Sequence, residues 1–98
     1  MNMHQYAYVQ EAERLYHRFG HSVRAIRRAQ GLTQAELAER VGMNKTYMVR
    51  LESGDNNVTL KTALRVASAL EVDILTLIKG VSVTVTSVNQ TWKNVSTQ

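Results

Sequence analysis

The sequence predicts an all-α domain of five helices, and three observations carry that reading. Apolar residues recur at three- and four-residue steps through most of the chain. Four of the runs open at Thr33, Asn44, Thr59 or Asp73, residues whose side chains cap helix N-termini, and Gly31, Gly42 and Gly80 stand where runs stop. Only the tail changes period: Val81-Ser82-Val83-Thr84-Val85-Thr86 alternates strictly, which admits a C-terminal β-strand, or a hairpin returning through Thr91-Trp92-Lys93-Asn94-Val95.

In order, residues 4 to 30 read as one long helix or two nearly collinear ones. Tyr8, Ala12, Leu15, Phe19, Val23 and Ile26 draw one stripe that crosses Gly20 in phase, while Arg14, Arg18, Arg24 and Arg28 fall largely off it. Thr33 with Glu36 forms a capping box, and Leu32 with Leu37 has the spacing of a hydrophobic staple. That helix runs to about Val41, where Gly42 permits the left-handed turn that ends it. Asn44 then caps a second short helix, with Met43 and Met48 repeating the staple. A polar loop from Asp55 to Val58 leads to Thr59 and a helix whose expected buried face is Leu60, Ala63, Leu64, Ala67 and Leu70. Val72, Asp73 and Leu77 repeat cap and staple for a last, nearly all-apolar helix with Ile74, Leu75 and Ile78.

The 98 residues are one domain's worth, and 44% hydrophobic content supports a single modest core. The net charge of +4 favours an anionic partner, mildly. With no cysteine, disulfides and thiolate metal sites are excluded. No apolar run approaches membrane-spanning length and no secretory signal pattern opens the chain, so a cytoplasmic protein without membrane association is expected. His17 and His21 lie four apart with Glu13 one turn earlier, but no third ligand set accompanies them; they read as polar residues beside the stripe, and no metal or cofactor is expected. No phosphate loop, nucleophile elbow or paired carboxylate frame points to an enzyme.

The informative stretch is 32 to 54: helix, three-residue turn containing glycine, helix, which is the outline of a helix-turn-helix. Ala38 supplies the small residue that a steep crossing needs. The second helix would bury Met48 and Leu51 and leave Lys45, Thr46, Val49 and Arg50 on another face, a composition suited to a DNA major groove.

Phe19-Gly20, Arg27, Gly31-Leu32-Thr33-Gln34, Leu37-Ala38, Val41-Gly42 and Leu51-Glu52-Ser53-Gly54 together resemble the XRE-type helix-turn-helix family, which includes the DNA-binding domains of lambdoid phage repressors. The resemblance covers roughly residues 19 to 80. It leaves 1–18 as an N-terminal helical extension and 81–98 as a tail, with the DNA-binding domain between. It implies a sequence-specific regulator of transcription, a homodimeric repressor that binds a two-fold symmetric operator in double-stranded DNA through the major groove. Restriction-modification control, an autoregulating antitoxin with a toxin partner, and a protein-interaction module without DNA binding are the alternatives.

By the same resemblance, Lys45, Thr46 and Arg50 occupy base-reading positions, and Lys and Arg suit the guanine acceptors. Gln34 at the start of the first motif helix would donate to a phosphate, supported by Asn44, Tyr47, Asn56, Asn57, Thr59 and Lys61. Arg27 and Glu52 match the family's internal ion pair and are expected to be structural. The apolar faces with Ile74 and Ile78, and with Val81, Val83, Val85 and Trp92 in the tail, are expected to join two copies.

Overall fold

The computed structural model describes residues 3–80, which form five α-helices: α1 (Met3–Ala29), α2 (Gln34–Val41), α3 (Lys45–Ser53), α4 (Leu60–Leu70) and α5 (Ile74–Lys79). There is no strand among the described residues. The alternating tail, with Val81, Val83, Val85 and Trp92, lies outside them.

Local chemistry sets each boundary. Thr33 Oγ1 accepts from Glu36 N at 3.0 Å and Glu36 Oε1 accepts from Thr33 N at 2.9 Å, closing the capping box of α2. Asn44 Oδ1 accepts from Tyr47 N at 2.7 Å, Thr59 Oγ1 from Thr62 N at 3.1 Å and Asp73 Oδ1 from Leu75 N at 2.8 Å, so α3, α4 and α5 begin on their expected caps. At the motif turn Gly42 sits at φ 83°, and the N–H groups of Gly42 and Met43 both donate to Ala38 O at 2.9 Å. These two hydrogen bonds to one carbonyl end α2 and turn the chain toward α3 within three residues. One end departs from the glycine rule: α4 closes at Glu71, which takes the left-handed conformation at φ 58°.

α1 runs unbroken through Gly20 as one helix. Gly20 is where α3 crosses: a Cβ there would lie 2.3 Å from Leu51 O and 2.7 Å from Glu52 O. α1 packs on α3 and α5, and α2 packs on α3 and α4. Phe19, Val23, Leu37, Ala38, Val41, Met48, Leu51, Ala63, Val66, Ala67, Leu70 and Leu77 make one buried cluster.

Two expectations about the core are corrected. The α1 stripe is buried only from Phe19 onward; Tyr8 is 74% exposed and Leu15 is 40% exposed. Ahead of Phe19 the helix borders residues 54–57, with Tyr8, Tyr16 and His17 lining a hollow there, but it no longer meets the buried cluster, so the stripe outruns the core. On α4 the buried face is Ala63, Val66, Ala67 and Leu70, while Leu60 is 72% exposed and Leu64 is 55% exposed. The apolar arc of α4 is wider than its contact with the core, and Leu60 and Leu64 fall on the rim that no helix covers.

Candidate nucleic-acid interface

The site is built on α3 and held by one buried ion pair. Arg27 Nε donates to Glu52 Oε2 at 2.6 Å, and Arg27 Nη2 donates to Glu52 Oε1 at 3.0 Å. Arg27 Nη1 donates to Leu32 O at 2.7 Å, so the guanidinium ties α1 both to α3 and to the segment entering α2. Both residues are buried, where a charge must be paired and hydrogen-bonded, and no buried side-chain polar atom among the described residues lacks a partner.

Gln34 joins this network: its Nε2 donates to Glu52 Oε1 at 3.0 Å, and the side chain is half-buried. An amide Nε2 carries two hydrogens, so one remains for another acceptor. α2 is anchored at its other end as well, where the Arg65 guanidinium of α4 donates to Val41 O.

With Met48 and Leu51 fully buried, α3 turns Lys45, Thr46, Val49 and Arg50 outward, and all four are exposed. Tyr47 is half-buried and packs against the core. Asn44 Oδ1 is occupied by its cap, which leaves its amide nitrogen to donate. The Thr59 hydroxyl is both cap acceptor and donor to Thr62 Oγ1 at 3.1 Å. At the start of α2 the Thr33 N–H first, and the Thr33 hydroxyl second, hold the Glu36 carboxyl below its usual value, with Arg40 acting in the same direction.

The sequence-predicted residues do not all meet. Gln34 and Lys45 share one open cleft, between α1, α2 and α3, with Thr33, Ala35, Arg24, Arg27 and Arg28. Asn57 lines a separate hollow beside the N-terminal part of α1, with Tyr8, Tyr16 and His17. Lys61 lies on a third face with Arg40, Leu64 and Arg65. Arg24 and Arg28 are the cleft residues that sequence reasoning passed over. Their signal was present, because two arginines one turn apart lay off the apolar stripe, but only the packing of α1 against the motif shows what they face.

No helix of the described residues is long and apolar enough to cross a membrane. Among those residues no three His, Cys, Asp or Glu side chains gather as a metal-holding group.

Comparisons with known proteins give the arrangement a family. The immunity repressor protein of Bacillus phage phi105 is 32% identical over 59 residues, which is 60% of this chain and 41% of that protein. The crystal structure of the restriction-modification controller protein C.AhdI from Aeromonas hydrophila superposes with a TM-score of 0.63 at 34% identity, over 66% of this chain and 94% of that one. The structure of SinR, described as the master regulator for biofilm formation and solved in complex with DNA, matches with a TM-score of 0.57 at 28% identity, over 60% of this chain and 95% of that one. The chain thus spans about two-fifths of the phage repressor's length and nearly all of the other two. A helix-turn-helix family profile matches residues 23–77, which hold the Arg27–Glu52 pair and both motif helices, and the chain belongs to that helix-turn-helix family.

Proposed function

We propose that the protein is a sequence-specific double-stranded DNA-binding regulator of transcription, acting in the cytoplasm as a homodimeric repressor on a two-fold symmetric operator. The observation that carries this is the exposed face of α3, rigidly tied to α1 and α2 through Arg27, Glu52 and Gln34. Seated in a major groove, Lys45 and Arg50 would donate to guanine O6 and N7, and the Thr46 methyl would touch a thymine methyl. The free hydrogen of Gln34 and the amide of Asn44 would reach phosphates, with Tyr47, Asn56, Asn57, Thr59 and Lys61 as further backbone contacts. Occupancy of a promoter is then sufficient for repression, and no catalysis is involved.

Dimerisation would use α5 and the tail. Leu75 is 57% exposed and Ile74 and Ile78 are half-buried on a helix of only six residues, an apolar face that a second copy would cover. Val81, Val83, Val85 and Trp92 would extend it. A second reading, control of a restriction-modification system, is favoured by the match to C.AhdI across 94% of that controller. The two share the DNA-binding step and differ in the genes that lie beside the binding site. An autoregulating antitoxin would add a toxin as protein partner.

The test is selection of bound sites from a random double-stranded DNA pool. The expected product is an inverted repeat with half-site centres about 10 bp apart, because the two α3 helices must meet successive major-groove turns on one face. Enriched sites without an inverted repeat would rule out the symmetric dimer, and no enrichment would rule out sequence-specific binding.

A further inference from the structure

We propose that Arg24 and Arg28 clamp the phosphodiester backbone bordering the groove that α3 enters, so that the DNA-binding surface extends beyond the motif onto α1. This rests on the DNA-binding reading above. Both side chains are exposed and lie one helical turn apart on the last part of α1, about 6 Å along its axis. They line the same cleft as Gln34 and Lys45.

The charge balance of that cleft is uneven. Its third guanidinium, Arg27, is neutralised by Glu52. The Glu52 carboxylate already accepts from Arg27 Nε, Arg27 Nη2 and Gln34 Nε2, and is buried, so it does not serve Arg24 or Arg28. Arg24, Arg28 and Lys45 have no ion-pair partner among the described residues. Three unpaired cations therefore line one concavity, and a cleft lined by one sign of charge concentrates counter-ions.

The position of the cleft identifies the anion. Lys45 belongs both to the cleft and to the exposed face of α3. A helix with its side chains is about as wide as the major groove, so a helix seated in the groove brings the phosphates at the groove's edge against whatever flanks it. Here the flank is the end of α1. The N–H groups at the first two positions of α2, Gln34 and Ala35, have no acceptor within the helix and stand in the same wall. Guanidinium groups pair with phosphate in bidentate fashion, which fixes the register of the protein on the duplex without reading a base.

The experiment is titration of the full chain with its selected DNA site at several salt concentrations. Arg24→Ala, Arg28→Ala and the double variant are compared with Arg14→Ala, a basic residue of α1 that lies outside the cleft. Melting curves confirm that each variant is folded. Each substitution removes one phosphate contact per protomer, so for the dimer it is expected to lower the magnitude of the slope of log K against log salt by about 1.8, and the selected sequence is expected to stay unchanged. Arg14→Ala is expected to keep the wild-type slope. A double variant with the wild-type slope overturns the proposal and leaves DNA binding standing. An equal loss in Arg14→Ala also overturns it, because net charge alone would then be responsible. If the wild-type chain shows no affinity for DNA, the underlying reading fails and this proposal with it.

Discussion

Replacing Gly20 by alanine gives opposite signs for local and tertiary physics. Gly20 lies inside α1, where alanine is favoured over glycine by about 1 kcal/mol. On propensity alone Gly20→Ala would stabilise the protein. The structure reverses that sign. The added Cβ would stand 2.3 Å from Leu51 O, 2.7 Å from Glu52 O and 2.9 Å from Glu52 C. All three are backbone atoms near the end of α3, so no side-chain rotation relieves the contact. Ordinary van der Waals separation requires α3 to retreat by about 1 Å. Overpacking of this kind costs about 1–3 kcal/mol, and the displacement also loosens the Arg27–Glu52 bonds that start one residue further on α3. The net expectation is a loss of about 1–2 kcal/mol, or a fall in Tm on the order of 5–10 °C for a domain of this size. Thermal unfolding followed by circular dichroism measures it. Because α3 moves, DNA affinity should fall as well. An unchanged or raised Tm would refute the claim that the α1–α3 crossing is a close backbone contact.

Two further predictions follow from the network around the site. Glu52→Gln should lower stability by about 3 kcal/mol, a fall in Tm on the order of 15 °C, because the glutamine NH2 would face donors from Arg27 or Gln34 where a carboxylate oxygen accepted them; the selected DNA sequence should not change, and unaltered melting with an altered site would contradict the structural role. Glu36→Ala should lose its capping contribution at neutral pH, and its deficit against wild type should shrink on acidification. The Glu36 carboxyl is held below its usual value of 4.5, so its contribution is full above that value and disappears as pH falls through the lowered one; a deficit that stays constant from pH 7 to pH 3 would exclude it.

The helix boundaries were legible because caps are local. Thr33, Asn44, Thr59 and Asp73 each bond within three residues, so spacing alone specified them. The left-handed end of α4 at Glu71 was not legible, since glutamate carries no signal for positive φ; there the chain turns so that Val72 N can donate to Ala67 O at 3.0 Å. Periodicity identified apolar faces but not their partners. It chose Leu60 and Leu64 over Val66 on α4, and it ran the α1 stripe past Phe19 to Tyr8, because a pattern within one helix does not record how far its neighbours extend. In the site, the outward residues of α3 followed from the three-residue spacing of Met48 and Leu51, which leaves even the apolar Val49 outside. The engagement of Gln34 with Glu52 and the gathering of Arg24 and Arg28 beside Lys45 did not, because both depend on the angle between α1 and the motif.

The central claim is that α3 reads bases while the start of α2 holds the backbone. Site selection from a random DNA pool, run in parallel with wild type, Arg50→Ala and Gln34→Ala, tests it most directly. Arg50→Ala should lose preference at one position in each half-site, a discrimination of about 1–3 kcal/mol, and keep it elsewhere. Gln34→Ala should select the wild-type sequence and bind every sequence more weakly, since phosphates carry no sequence information. If Gln34→Ala changes the selected base and Arg50→Ala does not, the assignment of roles to α2 and α3 is contradicted.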